Sequence, residues 1–203
     1  MDYKRVLRKT IKRVARLEYP VVVDIGAYKG ALAEELHRLN DKAFVYLVEP
    51  NSLLLKKTFA RMDYVHIAQY AISNKPEVQF YGGVKSHLSD SVYKTHMRAN
   101  DGCVVISGIT MDALMKRLTI THLDLLVMNC EGGEYSAFDT VGWLKVPDRI
   151  LIQLHGNTPF GTDDFRHKRV EIYKKLENAG FVLAQGRKQV RHKGKINQLW
   201  EKA

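Results

Sequence analysis

The run Val21-Val22-Val23-Asp24-Ile25-Gly26-Ala27-Tyr28-Lys29-Gly30 constrains this chain more than any other stretch. Three β-branched residues without polar alternation fit a strand covered on both faces, as in a parallel sheet. In residues 31–40, Leu32, Leu36 and Leu39 recur at helical spacing and Asn40 suits a helix end. The order is strand, glycine turn, helix. That is the first half of a nucleotide-type binding unit, in which glycines let a ligand lie against the backbone. An ordinary strand-to-helix turn capped by glycine has the same pattern.

The turn departs from the dinucleotide pattern G-x-G-x-x-G, which needs glycine where Tyr28 stands so that a pyrophosphate can approach. Its spacing is D-x-G-x-x-x-G, and Asp24 sets a carboxylate where phosphates would lie, offset in part by Lys29. A phosphate-free, positively charged ligand fits better. S-adenosylmethionine (SAM) is such a ligand, with its sulfonium, ammonium, ribose and adenine. We expect Asp24, Gly26, Ala27, Tyr28 and Gly30 to bind it.

Residues 43–48 read as the next strand, ending in Glu49-Pro50-Asn51. Glu49 stands roughly 20 residues beyond the turn, where an acid at the tip of the second strand can accept both ribose hydroxyls. Pro50 stops the strand, and Asn51 or Ser52 can cap a helix over 52–62. Residues 64–72 read as a third strand whose end, Ala71 and Ile72 with Ser73, reaches the adenine side of the site.

The chain has 203 residues, which suits one domain burying roughly 70% of its unfolded surface. No apolar run approaches the ~20 residues of a membrane span, and the basic N-terminus lacks the apolar core of a secretory signal. Cys103 and Cys130 are the only cysteines and lack zinc-site spacing, so reduced thiols in a cytoplasmic protein are the simplest expectation. The net charge of +10 points to an anionic partner. Much of it sits at the two ends. Lys4, Arg5, Arg8, Lys9, Lys12, Arg13 and Arg16 share an amphipathic helix over 4–18, and Arg187, Lys188, Arg191, His192, Lys193 and Lys195 form a second cluster. Solvated faces account for both as readily as nucleic acid, a membrane surface or a nucleotide-linked substrate.

The rest alternates strands and helices without repeats or low-complexity linkers, so we expect one domain over 1–203, with the basic helix of 1–19 ahead of the core. Residues 78–81 and 104–106 read as extra strands, and 111–118 as a helix. The polar stretch 85–102, with Ser86, Ser89 and Ser91, reads as a loop long enough to be functional, with Ser91 reaching the cofactor. Residues 123–128 form a buried strand running into Asn129-Cys130-Glu131-Gly132-Gly133-Glu134. Acids and an amide at a central strand tip are costly to bury unless paired, which makes this a second candidate site. Residues 149–154 are a fifth core strand, ending in His155. Residues 170–179 read as a helix, and 181–184 with 196–200 as an antiparallel hairpin. The class is α/β, a doubly wound sheet with ligands at the carboxyl ends of its strands.

Taken together, these residues resemble the FkbM-like family of class I SAM-dependent methyltransferases. The likeness lies in Asp24-Ile25-Gly26-Ala27-x-x-Gly30, in Val48-Glu49-Pro50-Asn51, and in Asp124-Leu125-Leu126-x-x-Asn129-x-Glu131-Gly132-Gly133-Glu134-Tyr135. Ile152-Gln153-Leu154-His155 and Asn197-x-Leu199-Trp200 add to it, so it runs from about residue 20 to the end. It implies a Rossmann-like, seven-stranded, mostly parallel sheet with helices on both faces, and O-methylation of sugars, glycolipids or polyketides. The likeness is nearest to short sugar O-methyltransferases. Val127 and Asn129 stand where many members have Lys and Asp, and Tyr28 and Lys29 replace smaller or more neutral residues.

Such an architecture ends its fourth and fifth strands beside the transferred methyl group. We therefore expect His155 as general base, with an unperturbed pKa near 6.5. Glu131 would orient it or the acceptor, and Asn129 would hold the acceptor or the SAM ammonium. Glu134 is expected to cap the following helix. A Mg²⁺ held by Glu131, Asn129 and His155 is an alternative that we do not favour. The expected acceptor is a sugar or glycan, nucleotide-linked forms included, and not nucleic acid. RNA methylation and a catalytically silent SAM-binding module are the competing functions.

Overall fold

The valine run lies at the centre of the fold. The computed structural model describes residues 2–59, 62–81, 103–156, 164–189 and 194–203, without the side chains of 53, 54, 164 and 165. Ser91 and the stretch around it lie outside the described residues, as do Arg191, His192 and Lys193.

In chain order the elements are α1 (Tyr3–Val14), β1 (Val21–Ile25), α2 (Ala31–Leu39), β2 (Phe44–Val48), α3 (Leu53–Phe59), β3 (Val65–Ala68), β4 (Ala71–Ile72) and β5 (Glu77–Tyr81). Then come β6 (Cys103–Ile109), α4 (Met111–Arg117), β7 (Leu125–Met128), α5 (Gly133–Ala137), a 3₁₀ turn (Gly142–Lys145), β8 (Arg149–Leu154), α6 (Asp164–Asn178), β9 (Phe181–Gln185) and β10 (Ile196–Lys202). Seven strands form one sheet in the order β3-β2-β1-β7-β8-β10-β9. Pairing is parallel from β3 to β8, and β10 runs antiparallel to both of its neighbours. This is the expected α/β, Rossmann-like arrangement. The chain order reverses between β1 and β7, which opens a crevice at their carboxyl ends.

Alternate residues of the central strands feed two cores. Val22, Leu125, Val127 and Leu151 pack on the side that carries α1, α2 and α3. Val23, Ile25, Leu126, Met128, Ile150 and Ile152 pack on the opposite side, against α4, α5 and α6. With both faces covered, polar alternation would bury unpaired groups, which is why these strands read as unbroken apolar runs. Asp24 shares its face with Val22 through the two-residue strand period, and so lies on the α1 side.

The structure departs from expectation in three places. The third strand is not continuous: β3 ends at Ala68, and β4 joins a separate three-stranded sheet, β4-β6-β5. Ala71 and Ile72 are buried there at 3% exposure each, so tertiary burial overrides an unbroken edge strand. The close approach depends on Gly108 having no side chain, because a Cβ there would meet the Lys75 carbonyl oxygen at 2.1 Å. The helix read over 170–179 starts six residues earlier, at Asp164, and the basic helix ends at Val14 rather than 18. No helix among the described residues is long and apolar enough to cross a membrane.

Candidate functional site

The turn after β1 is built from left-handed backbone. Gly26, Tyr28 and Gly30 have φ of 81°, 50° and 77°. Only glycine takes this conformation without strain, and Tyr28 is therefore a strained position at the head of the crevice. The space beside the two glycines is filled by protein and not left for a ligand. A Cβ on Gly26 would stand 2.1 Å from the Asn129 carbonyl oxygen, and one on Gly30 would stand 2.3 Å from the Phe59 ring. The glycines bring β1 against the end of β7 and the turn against α3.

Glu49 ties this turn to the next one. One carboxylate oxygen accepts the Tyr28 amide at 3.0 Å, and the other accepts the Asn51 amide at 3.0 Å. Two backbone donors hold the acid in place at the tip of β2, where it is buried. Asp24 is buried beside it. Burial, and then the charge of Glu49, push the Asp24 carboxyl up to about 7. A cation between these acids would favour their charged forms. Across the crevice, Oδ1 of Asn129 is buried and has no hydrogen-bond partner among the described residues, an acceptor waiting for a donor.

The turn after β7 holds a linked set of charges. Glu134 is fully buried. It accepts the Cys130 and Gly132 amides at 2.7 and 2.8 Å, and its Oε1 lies 2.8 Å from Nδ1 of His155. Nε2 of His155 lies 3.2 Å from Oε1 of Glu131, which also accepts from Nζ of Lys195 at 2.9 Å. Burial alone would lower the imidazole pKa. The Glu134 and Glu131 carboxylates outweigh it and push His155 up to about 9. Glu131 moves the other way: burial would raise it, but His155 and Lys195 hold it below the ordinary carboxylate value. His155 is thus an imidazolium at neutral pH, and the unperturbed value expected of it is corrected by this double ion pair. Both ring nitrogens face carboxylates. Glu131 has φ of 49° and Gly132 of 107°, so the first acid of the motif sits in a glycine-like conformation.

Of the residues singled out in the sequence, Asp24, Gly26, Ala27, Tyr28, Gly30, Glu49, Pro50 and Asn51 gather around the crevice at the ends of β1 and β2, with Asn129, Glu131 and His155 opposite. Ala71 and Ile72 adjoin the E-G-G-E turn, since a Cβ on Gly133 would come 3.8 Å from the Ile72 carbonyl. Ser91 falls outside the described residues. Glu134 does more than cap, because it also grips His155. Two participants carry no local signal. Lys195 reads as one cation in a basic cluster. Tyr3 lies just ahead of the helix read over 4–18, yet it packs on the α1-side core. Burial, then Asp24 and Glu134, push its hydroxyl up. Among the described residues, His122, Asp124 and Asp148 are the group of three side chains close enough to share a cation. They stand at the other end of β7 and β8.

Residues 24–183 match the family described as the methyltransferase FkbM domain. The chain belongs to the FkbM methyltransferase family. It is therefore a SAM-dependent methyltransferase by family, and the acceptor groups of its crevice suit that cofactor. Asp24, Glu49 and Oδ1 of Asn129 are acceptors, and SAM offers an ammonium, a sulfonium and ribose hydroxyls to meet them. Comparison with curated proteins finds no match.

Solved structures share the fold of this FkbM-family chain at low identity. A putative rRNA-methylase from Clostridium thermocellum matches with a TM-score of 0.53 at 13% identity, over 97% of this chain and 94% of that one. A fibrillarin/Nop5p complex matches at 0.53 and 12%, over 92% and 74%. The precorrin-6y C5,15-methyltransferase from Geobacter metallireducens GS-15 matches at 0.51 and 11%, over 98% and 89%.

Proposed function

We propose that this FkbM methyltransferase moves a methyl group from SAM to a hydroxyl of a sugar or glycan, with His155 as general base. The observation that carries the reading is the Glu134–His155–Glu131 chain, set across the crevice from the acidic, glycine-rich turn. Asp24, Glu49 and Asn129 would hold the cofactor, which supplies an electrophilic methyl on sulfur when bound.

The acceptor hydroxyl is a poor acid and must lose its proton as its oxygen bonds to carbon and the carbon–sulfur bond breaks. A positioned base is worth about 10²–10⁴-fold. Glu134 fixes the imidazole through Nδ1, and the acceptor proton would pass to Nε2, which is buried against the partly exposed Glu131. Once deprotonated, a base with a pKa near 9 is stronger than an ordinary histidine. Its working form is scarce at neutral pH, roughly 1% at pH 7, so turnover should rise with pH. Excluding water and aligning the acceptor supply the remainder of the rate.

The test is incubation with isotopically labelled SAM and a panel of glycans and nucleotide sugars, followed by mass spectrometry of the products. Label on a sugar oxygen supports the reading, and label on none of the panel counts against it. A second reading, RNA methylation, rests on one observation: Lys4, Arg5, Arg8, Lys9, Lys12, Arg13 and Arg16 are all exposed on or just beyond α1, and phosphate contacts would use them. Steeply salt-dependent RNA binding with label incorporated into RNA would favour it.

A further inference from the structure

Arg169 lies in α6, outside the acidic crevice, yet it is fully buried. Its guanidinium spans three parts of the molecule. Nε donates to the Tyr135 hydroxyl at 3.1 Å, and that hydroxyl donates to the carbonyl of His155 at 2.6 Å. Nη2 donates to the Gly194 carbonyl at 3.1 Å and lies 3.5 Å from that of Leu154. Nη1 lies 3.4 Å from the Gln189 carbonyl. One side chain therefore binds the end of β8, the helix after the E-G-G-E turn, and both flanks of the connection between β9 and β10. The residue after Gly194 is Lys195, whose ammonium stands on Glu131.

We propose that Arg169 is a positioning residue for the site: it fixes the β9–β10 connection against β8 so that Lys195 is delivered to Glu131. A planar guanidinium suits the task because its donors point in fixed directions and can hold several carbonyls at once, which a lysine ammonium cannot do with the same geometry. The lysine charge at Glu131 then sets how strongly that carboxylate acts on His155. The proposal rests on the reading of the His155–Glu131 pair as catalytic, but its test does not require turnover.

Among the described residues, the charged groups that face His155 are Glu134 from α5, Glu131 from the turn after β7 and, through Glu131, Lys195 just ahead of β10. Removing a cation near this set favours the imidazolium. The His155 ring is followed by NMR across pH in SAM-free protein. Lys195→Met should move its titration upward by about half a pH unit. Arg169→Lys keeps the buried charge but loses the fork, and should move it in the same direction. In the Lys195→Met background, Arg169→Lys should add nothing further, since the lysine it positions is gone.

An equal shift from Arg169→Lys in both backgrounds, or none in a folded single variant, overturns the proposal. Should that variant fail to fold, backbone relaxation of the unaltered protein decides. Order parameters near 0.85 at Gly194 and Lys195 support a fixed tether, and values under about 0.6 overturn it. Absence of turnover by the unaltered protein on the glycan panel, with these shifts intact, would count against the function proposed above and leave the role of Arg169 standing.

Discussion

Oε1 of Glu134 lies 2.8 Å from Nδ1 of His155, and the carboxylate that makes this contact has no exposure to solvent. The pair fixes the tautomer and orientation of the ring, and the same acid accepts two backbone amides of its own turn. A change at Glu134 therefore reaches the backbone and the imidazole together. Glu134→Gln keeps the shape but puts an amide donor among donors. It should lower stability by about 2 kcal/mol and move the His155 titration down from about 9, checked by thermal melts and by NMR of the ring.

The raised His155 value also sets a pH window for stability. Its folded value lies above the unfolded 6.5, so its stabilisation is complete below pH 6.5 and lost as pH rises through 9. The melting temperature should fall between pH 7 and 9.5, and fall less in Glu134→Gln. Over the same range turnover should rise. His155→Ala should lower turnover 10²–10⁴-fold with SAM affinity kept within about threefold, measured by kinetics and calorimetry.

Asp24 titrates in the opposite functional sense. Its carboxyl is pushed up to about 7 by burial and by Glu49, and a cationic cofactor favours the ionised form. SAM should bind about tenfold more tightly at pH 8 than at pH 6. Calorimetry at pH 6 in buffers of different ionisation heat should show a proton released on binding. Asp24→Asn should flatten the dependence.

Glu49→Ala removes the acceptor of the Tyr28 and Asn51 amides as well as the group proposed to hold the ribose. SAM affinity should drop about 10–100-fold, read by calorimetry. Faster amide exchange at Tyr28 and Asn51 should accompany it, showing that the two turns have lost their common anchor.

Gly26→Ala tests the packing of the crevice. The new Cβ would lie 2.1 Å from a backbone oxygen of Asn129, at a φ of 81°. Neither the clash nor the backbone can relax cheaply, so the loss should be at least about 3 kcal/mol, measured by urea unfolding.

What could be read from the chain alone was local or set by a short period. The valine run, the D-x-G-x-x-x-G turn and Glu49 are legible because one stretch carries both the strand and the turn that ends it. β7 is legible because a strand covered on both faces has no polar residue to disguise it, and β8 because Ile150, Leu151, Ile152 and Leu154 outweigh Arg149 and Gln153. The break between β3 and β4 was not, since it depends on burying Ala71 and Ile72 in a second sheet formed with a strand more than 30 residues away. The titration of His155 was hidden for a similar reason. Glu134 stands 21 residues from it in sequence, and spacing does not reveal which carboxylate meets which imidazole. Lys195 looked like one member of a basic cluster and Arg169 carried no signal at all, since only the fold shows it as a buried fork. The glycines were legible as a turn, but Asn129 and Phe59, which a Cβ on them would meet, were not legible as their neighbours.

The backbone at Glu131 carries a further implication. A carboxylate held at φ 49° occupies a conformation that glycine adopts freely, and the next two residues are already glycine. Replacing it by glycine would relax the chain while deleting the group that faces His155 and Lys195. At this position, drift toward a sturdier fold would run against the proposed role of the acid beside His155. A lineage that kept only the scaffold would be expected to shed this acid early, leaving a robust protein with an idle crevice.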